Sequence, residues 1–89
     1  MNRQQVINDL DRAVRAGLIK DPYVKHYFTL RKDYIYIHVS IDCKAYEWGR
    51  GQHANSFSTH IRIPTSEYSY RKLANALRKA KKEFEEKHG

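Results

Sequence analysis

Two histidines raise the first chemical question. His38 lies in the run Tyr34–Ala45, YIYIHVSIDCKA, and His60 lies in Asn55–Ile63, NSFSTHIRI. If the two runs are neighbouring strands of one sheet, both imidazoles share a face. One can then take up a proton while the other gives one, with Arg62 or Lys44 steadying a phosphate, as in a compact ribonuclease. Composition alone supports that reading. The same pair is the minimum of a metal site, yet no HxxxH, CxxC or acid-plus-histidine spacing supplies a third and fourth ligand. A single cysteine, Cys43, excludes both a Cys-cluster zinc site and an intramolecular disulfide. P-loop, GxGxxG and nucleophile-elbow sequences are absent. No catalytic residue, metal ligand or cofactor is assigned, and no small-molecule substrate is expected. His26 reads as a satisfied, partly buried residue and His88 as tail.

Binding chemistry is better represented. The chain carries 17 Lys+Arg against 10 Asp+Glu, a net charge of +7, and its pI is about 9.7. An excess of that size on 89 residues attracts polyanions, whether DNA, RNA, an acidic protein surface or lipid head groups. The plainer role of such charge is to keep the chain dispersed. Three surfaces concentrate it. The first is the polar set of the opening run: Tyr34, Tyr36, His38, Ser40, Asp42 and Lys44. Beside it fall Lys25, Tyr27, Thr29 and Arg31 from the preceding run, and Ser58, His60 and Arg62 from the following one. Rings interleaved with cations let bases stack while Lys and Arg follow phosphate; the same residues are also good strand formers that pair across a half-exposed sheet. The second surface is the segment Glu47–His53, expected as a loop. There Gly49 and Gly51 flank Arg50 and permit close approach, and Trp48, Gln52 and His53 add stacking and hydrogen-bonding groups. The third is a set of residues near the C-terminus, Arg71, Lys72, Asn75, Arg78, Lys79 and Lys82, which cluster on one side of a helix at 100° per residue. Almost a single sign from Arg71 to Lys82, they form a stripe suited to a phosphate backbone.

These surfaces need particular elements beneath them. Val6, Ile7, Leu10, Ala13 and Val14 recur at helical spacing over Asn2–Ala16, with Asn2 as N-cap, Gln5 three residues on, and Gly17-Leu18 as a Schellman-type stop. Asp21-Pro22 bars continuation. The run Tyr23–Arg31 alternates Val24, His26, Phe28 and Leu30 against its polar set, and the short turn Lys32-Asp33 makes a hairpin with the next strand. That strand places Ile35, Ile37, Val39, Ile41, Cys43 and Ala45 inward and reaches about Glu47. The third runs from Asn55 to Ile63, with Phe57, Ile61 and Ile63 inward, and Pro64 stops it. A helix from Ser66 or Ser69 to Lys87 carries the stripe Tyr70, Leu73, Leu77, Ala80 and Phe84. The expected fold is α+β, ordered α-β-β-β-α, with both helices on one face of a three-stranded antiparallel sheet and the other face wet.

The length gives one domain over residues 1–89, near the small end of what folds without staples. No apolar run approaches the ~18 residues of a membrane span, and MNRQQVIND lacks a signal peptide's apolar core. A cytoplasmic, membrane-free protein is expected.

The element order resembles that of the double-stranded-RNA-binding domains. In residues, Ser69-Tyr70-Arg71-Lys72-Leu73-Ala74-Asn75 is similar to that family's Ser-Lys-Lys-x-Ala-Lys pattern at the start of its last helix. The resemblance implies that Arg71 and Lys72 contact phosphates across a major groove, with Asn75 where the family has a third lysine. The family's Gly-Pro-x-His loop is replaced by the short turn Arg31-Lys32-Asp33. The leading expectation is a small basic nucleic-acid-binding module, for DNA or RNA, without catalytic activity. A second is a protein-binding inhibitor, for instance a phage-encoded anti-CRISPR or host-takeover protein, whose basic face meets an acidic surface of a nucleic-acid-handling protein. The compact ribonuclease is the third.

Overall fold

The computed structural model describes residues 1–20 and 28–88. Its elements are α1 (Arg3–Arg15), β1 (Phe28–Leu30), β2 (Tyr34–Trp48), β3 (Gln52–Pro64), a 3-10 turn (Thr65–Glu67) and α2 (Tyr70–His88). The strands form one antiparallel sheet in the order β1-β2-β3. This is the α-β-β-β-α arrangement expected. The proposed strand positions Tyr23, Val24, Lys25, His26 and Tyr27, and the Asp21-Pro22 break, lie outside the described residues.

Both ends of α1 follow from local chemistry. The Asn2 side chain accepts from the Gln5 N–H at 2.9 Å, satisfying a donor that has no partner inside the helix. At the other end the Leu18 N–H donates to Ala13 O and the Gly17 N–H to Val14 O, with Gly17 at φ +76°. This is the full Schellman pair of bonds. Ser69 caps α2, its Oγ accepting from the Lys72 N–H at 3.2 Å.

One core joins both helices and all three strands. Val6, Leu10 and Ala13 of α1 and Leu73 and Leu77 of α2 pack with Ile35, Ile37, Val39 and Ile41 of β2 and with Ile61 and Ile63 of β3. Each fully buried aliphatic side chain of this kind contributes about 1.5–3 kcal/mol. Because residues alternate along a strand, the helices cover the odd-numbered face of β2, while Tyr36, His38, His60 and Arg62 stand exposed on the other. The Thr65 N–H and hydroxyl donate to Asp33 O and Lys32 O, tying the end of β3 to the first turn.

The alternation holds through Ile41 and then breaks. Asp42 pairs with Ser56, but the next pair is Tyr46 with Ala54. Three residues, Cys43, Lys44 and Ala45, thus stand opposite the single Asn55. The expected inward positions of Cys43 and Ala45 are corrected accordingly: Cys43 is half-buried and Ala45 exposed. A bulge releases its residues from the pleat and so from its two-residue period. Beyond it the hairpin continues as an arm to Trp48 and Gln52, in a molecule that measures 42 Å along its long axis against 22 and 21 Å across.

Candidate nucleic-acid interface

On α2, Arg71, Lys72, Asn75, Arg78, Lys79 and Lys82 are all exposed, on the side away from Leu73 and Leu77. Lys79 reaches Glu83 at 4.0 Å. Among the described residues, Arg71, Lys72, Arg78 and Lys82 have no ion-pair partner. The stripe spans eleven residues of rise, roughly 16 Å at 1.5 Å per residue, and, Lys79 apart, its cations have no ion pair among the described residues.

The wet sheet face is built differently. Register places His38 directly opposite His60 and Tyr36 opposite Arg62. The ring centroids of the two histidines are 4.5 Å apart. The Tyr36 hydroxyl is hydrogen-bonded to His60 Nδ1, and its ring meets His60 edge-on at 5.0 Å. The Arg62 guanidinium lies 4.1 Å over the Tyr34 ring. Tyr34, Tyr36, His38 and Arg62 are therefore brought together, but largely on one another. A base can stack on that face of Tyr34 only by displacing Arg62. The histidine pair lies on an open face, with His60 Nδ1 already engaged.

The hairpin tip departs from expectation. Trp48, Gln52 and His53, expected in a loop, belong to the strands: Trp48 pairs with Gln52, and Glu47, the expected strand end, with His53. Only Gly49-Arg50-Gly51 turn, closed by a Gln52 N–H to Gly49 O bond. All three have positive φ, Arg50 at 52°, a conformation that disfavours side-chain-bearing residues. Two glycines suffice for so tight a turn, so pairing extends to the flanking residues. Trp48 remains 55% exposed. The base of the arm is held by aromatics: Phe57 stacks on Phe84 at 3.9 Å, and Tyr46 meets Phe84 at 5.0 Å.

Lys44, like Cys43 and Ala45, is misplaced by the alternation. Expected on the wet face, it instead lines an open cleft of about 480 Å³ with Arg78, Lys81, Lys82, Glu85 and Glu86 of α2. Neighbouring Cys43 has its thiol pushed up by partial burial and by Glu85 and Asp42, against the opposing pull of Lys81 and Lys20. Lys20 crosses to the same region, meeting Asn55 Oδ1 at 2.9 Å and Asp42 at 3.4 Å. Neither Gly nor Pro marks the bulge in the sequence, and Lys81 falls outside the basic stripe by helical angle. The only legible signal was the density of cations at Lys79–Lys82.

The α2 stripe and the Tyr/His face lie on opposite sides of the sheet, so one straight duplex cannot touch both. Among the described residues no three His, Cys, Asp or Glu side chains gather to hold a metal, and no helix is long and apolar enough to cross a membrane. The chain matches no protein-family model, no curated protein and no solved structure.

Proposed function

We propose that this chain is a small nucleic-acid-binding module without catalytic activity, which lays the solvent side of α2 along a phosphate backbone. The observation that carries this reading is the exposed stripe Arg71, Lys72, Arg78 and Lys82, unpaired among the described residues. Uncompensated cations on a rigid helix gain from phosphate by releasing its condensed counterions. The stripe favours a backbone over bases, because it offers no exposed ring. The element order of the double-stranded-RNA-binding domains, with Arg71 and Lys72 in the first turns of the last helix, is consistent with a duplex ligand.

The test is oligonucleotide binding measured across a salt series. Replacing Arg71, Lys72, Arg78 and Lys79 by Gln leaves the apolar side of α2 untouched. It should weaken binding and flatten log affinity against log salt by roughly 0.7–0.9 per lost phosphate contact. An unchanged slope removes α2 from the interface.

The protein-inhibitor reading draws on a different observation, the projecting arm with Trp48 at 55% exposure. Exposed large aromatics are typical anchors in protein interfaces. Under that reading Trp48→Ala abolishes capture of a protein partner while the salt-dependent oligonucleotide binding persists.

A further inference from the structure

We propose that the cleft between the β2 bulge and α2 binds a multiply charged phosphate, either the terminal phosphate of a nucleic-acid strand or the polyphosphate of a free nucleotide. Its walls are Lys44 from the bulge and Arg78, Lys81 and Lys82 from α2, with Glu85 and Glu86 also lining it. Arg78 and Lys82 are shared with the α2 stripe, whereas Lys44 and Lys81 belong to the cleft alone and distinguish it from the stripe.

Three observations support it. None of the four cations is ion-paired among the described residues, although two carboxylates line the same cleft. Four like charges held around one concavity repel each other, and a bound polyanion relieves that repulsion. The shape also selects the ligand. A linear stripe suits phosphodiesters that each carry one charge, whereas a cluster drawn from two elements suits charge concentrated at a point. Finally, the bulge is what supplies Lys44: in a regular ladder this residue would stand on the far side of the sheet. With four cations against two acids, the cleft keeps a net charge of +2 to match a dianion.

Pyrophosphate is the probe, titrated calorimetrically into the full chain at low salt. Lys44→Gln and Lys81→Gln should each weaken it about tenfold, the scale of one charge-assisted contact. Glu85→Gln should tighten it, since an opposing charge is lost. The variant Lys32→Gln, in the turn at the opposite end of β2 from the bulge, controls for the loss of one charge. Circular dichroism establishes that each variant is folded. Equal weakening by Lys32→Gln, or no effect of Lys44→Gln in a folded protein, overturns the site. Because pyrophosphate has no backbone, the result stands whether or not the α2 stripe binds a duplex. Oligonucleotides with and without a 5′-phosphate then separate the two sources. A preference for the phosphorylated end that Lys44→Gln abolishes assigns the strand terminus, and tighter binding of nucleoside triphosphate than of either strand assigns the free nucleotide.

Discussion

Tyr68 and Asp9 are 59 positions apart in the chain, yet the phenol donates to the Asp9 carboxylate at 2.8 Å and so ties the approach to α2 onto α1. Burial first, then this bond and the Asp9 charge, hold the Tyr68 hydroxyl well above its ordinary value of 10.0. The folded chain therefore keeps a proton that the unfolded chain loses above about pH 10. The associated stability is fully present below that pH and falls above it by about 1.4 kcal/mol per pH unit. Urea midpoints taken between pH 9 and 11.5 should show this decline, and Tyr68→Phe should remove its share of it while costing about 1 kcal/mol at neutral pH. A parallel decline in the Phe variant would mean that the phenol is not the responsible group. On β2, Ile37 is fully buried and its neighbour His38 exposed. Ile37→Asp should unfold the domain by burying an unpartnered charge, and His38→Asp should be far milder. Thermal melts of both variants decide it.

At the scale of elements, Gly17 closes α1 at φ +76° with nothing within 4 Å of where a Cβ would stand. Gly17→Ala therefore meets no clash and costs only the left-handed conformation, about 1–2 kcal/mol. A larger loss in denaturant midpoint would point to contacts beyond the turn itself. This stop was legible in the sequence because a glycine followed by Leu18 has few other uses after a helical stripe. The two helices and the core face of β2 were legible for a similar reason, since burial imposes its period directly on Val6, Leu10, Leu73, Leu77 and Ile35 to Ile41. The bulge was not. Cys43 and Ala45 continue the apolar alternation after Ile41, so composition conceals the point where pairing slips. The length of the arm was also hidden, because two glycines around Arg50 fit a seven-residue loop as well as a three-residue turn. Legibility failed where a residue's place depends on its partner strand.

For the molecule as a whole, the decisive fact is that the sheet separates its two polar surfaces. A duplex held by α2 leaves Tyr36, His38 and His60 facing solvent on the reverse side. In a titration with duplex followed by NMR, amides from Arg71 to Lys82 should shift, whereas those of His38 and His60 should not. Shifts on both sides with a short duplex would require two copies of the ligand, or a sheet face that binds in its own right. The second case is checked by Tyr36→Ala and Tyr36→Phe. If Tyr36 stacks on a base, the alanine variant loses about 1–3 kcal/mol of single-strand affinity and the phenylalanine variant keeps it. If the Tyr36–His60 contact only supports the sheet, alanine lowers the melting temperature and leaves affinity alone.

The three-against-one pairing at Cys43–Ala45 also acts as slack in the chain. In a regular hairpin, removing a residue from one strand re-registers everything beyond it. Here β2 carries two residues more than its pairing consumes between Asp42 and Tyr46. Excising Lys44 and Ala45 together should let Tyr46 keep Ala54, and Trp48 keep Gln52, with the ladder made continuous. The shortened protein should melt no lower than the original and retain its arm, having given up Ala45 and the lysine that completes the cleft. Chain length at this point is thus decoupled from the architecture around it, and is free to be set by what the cleft holds.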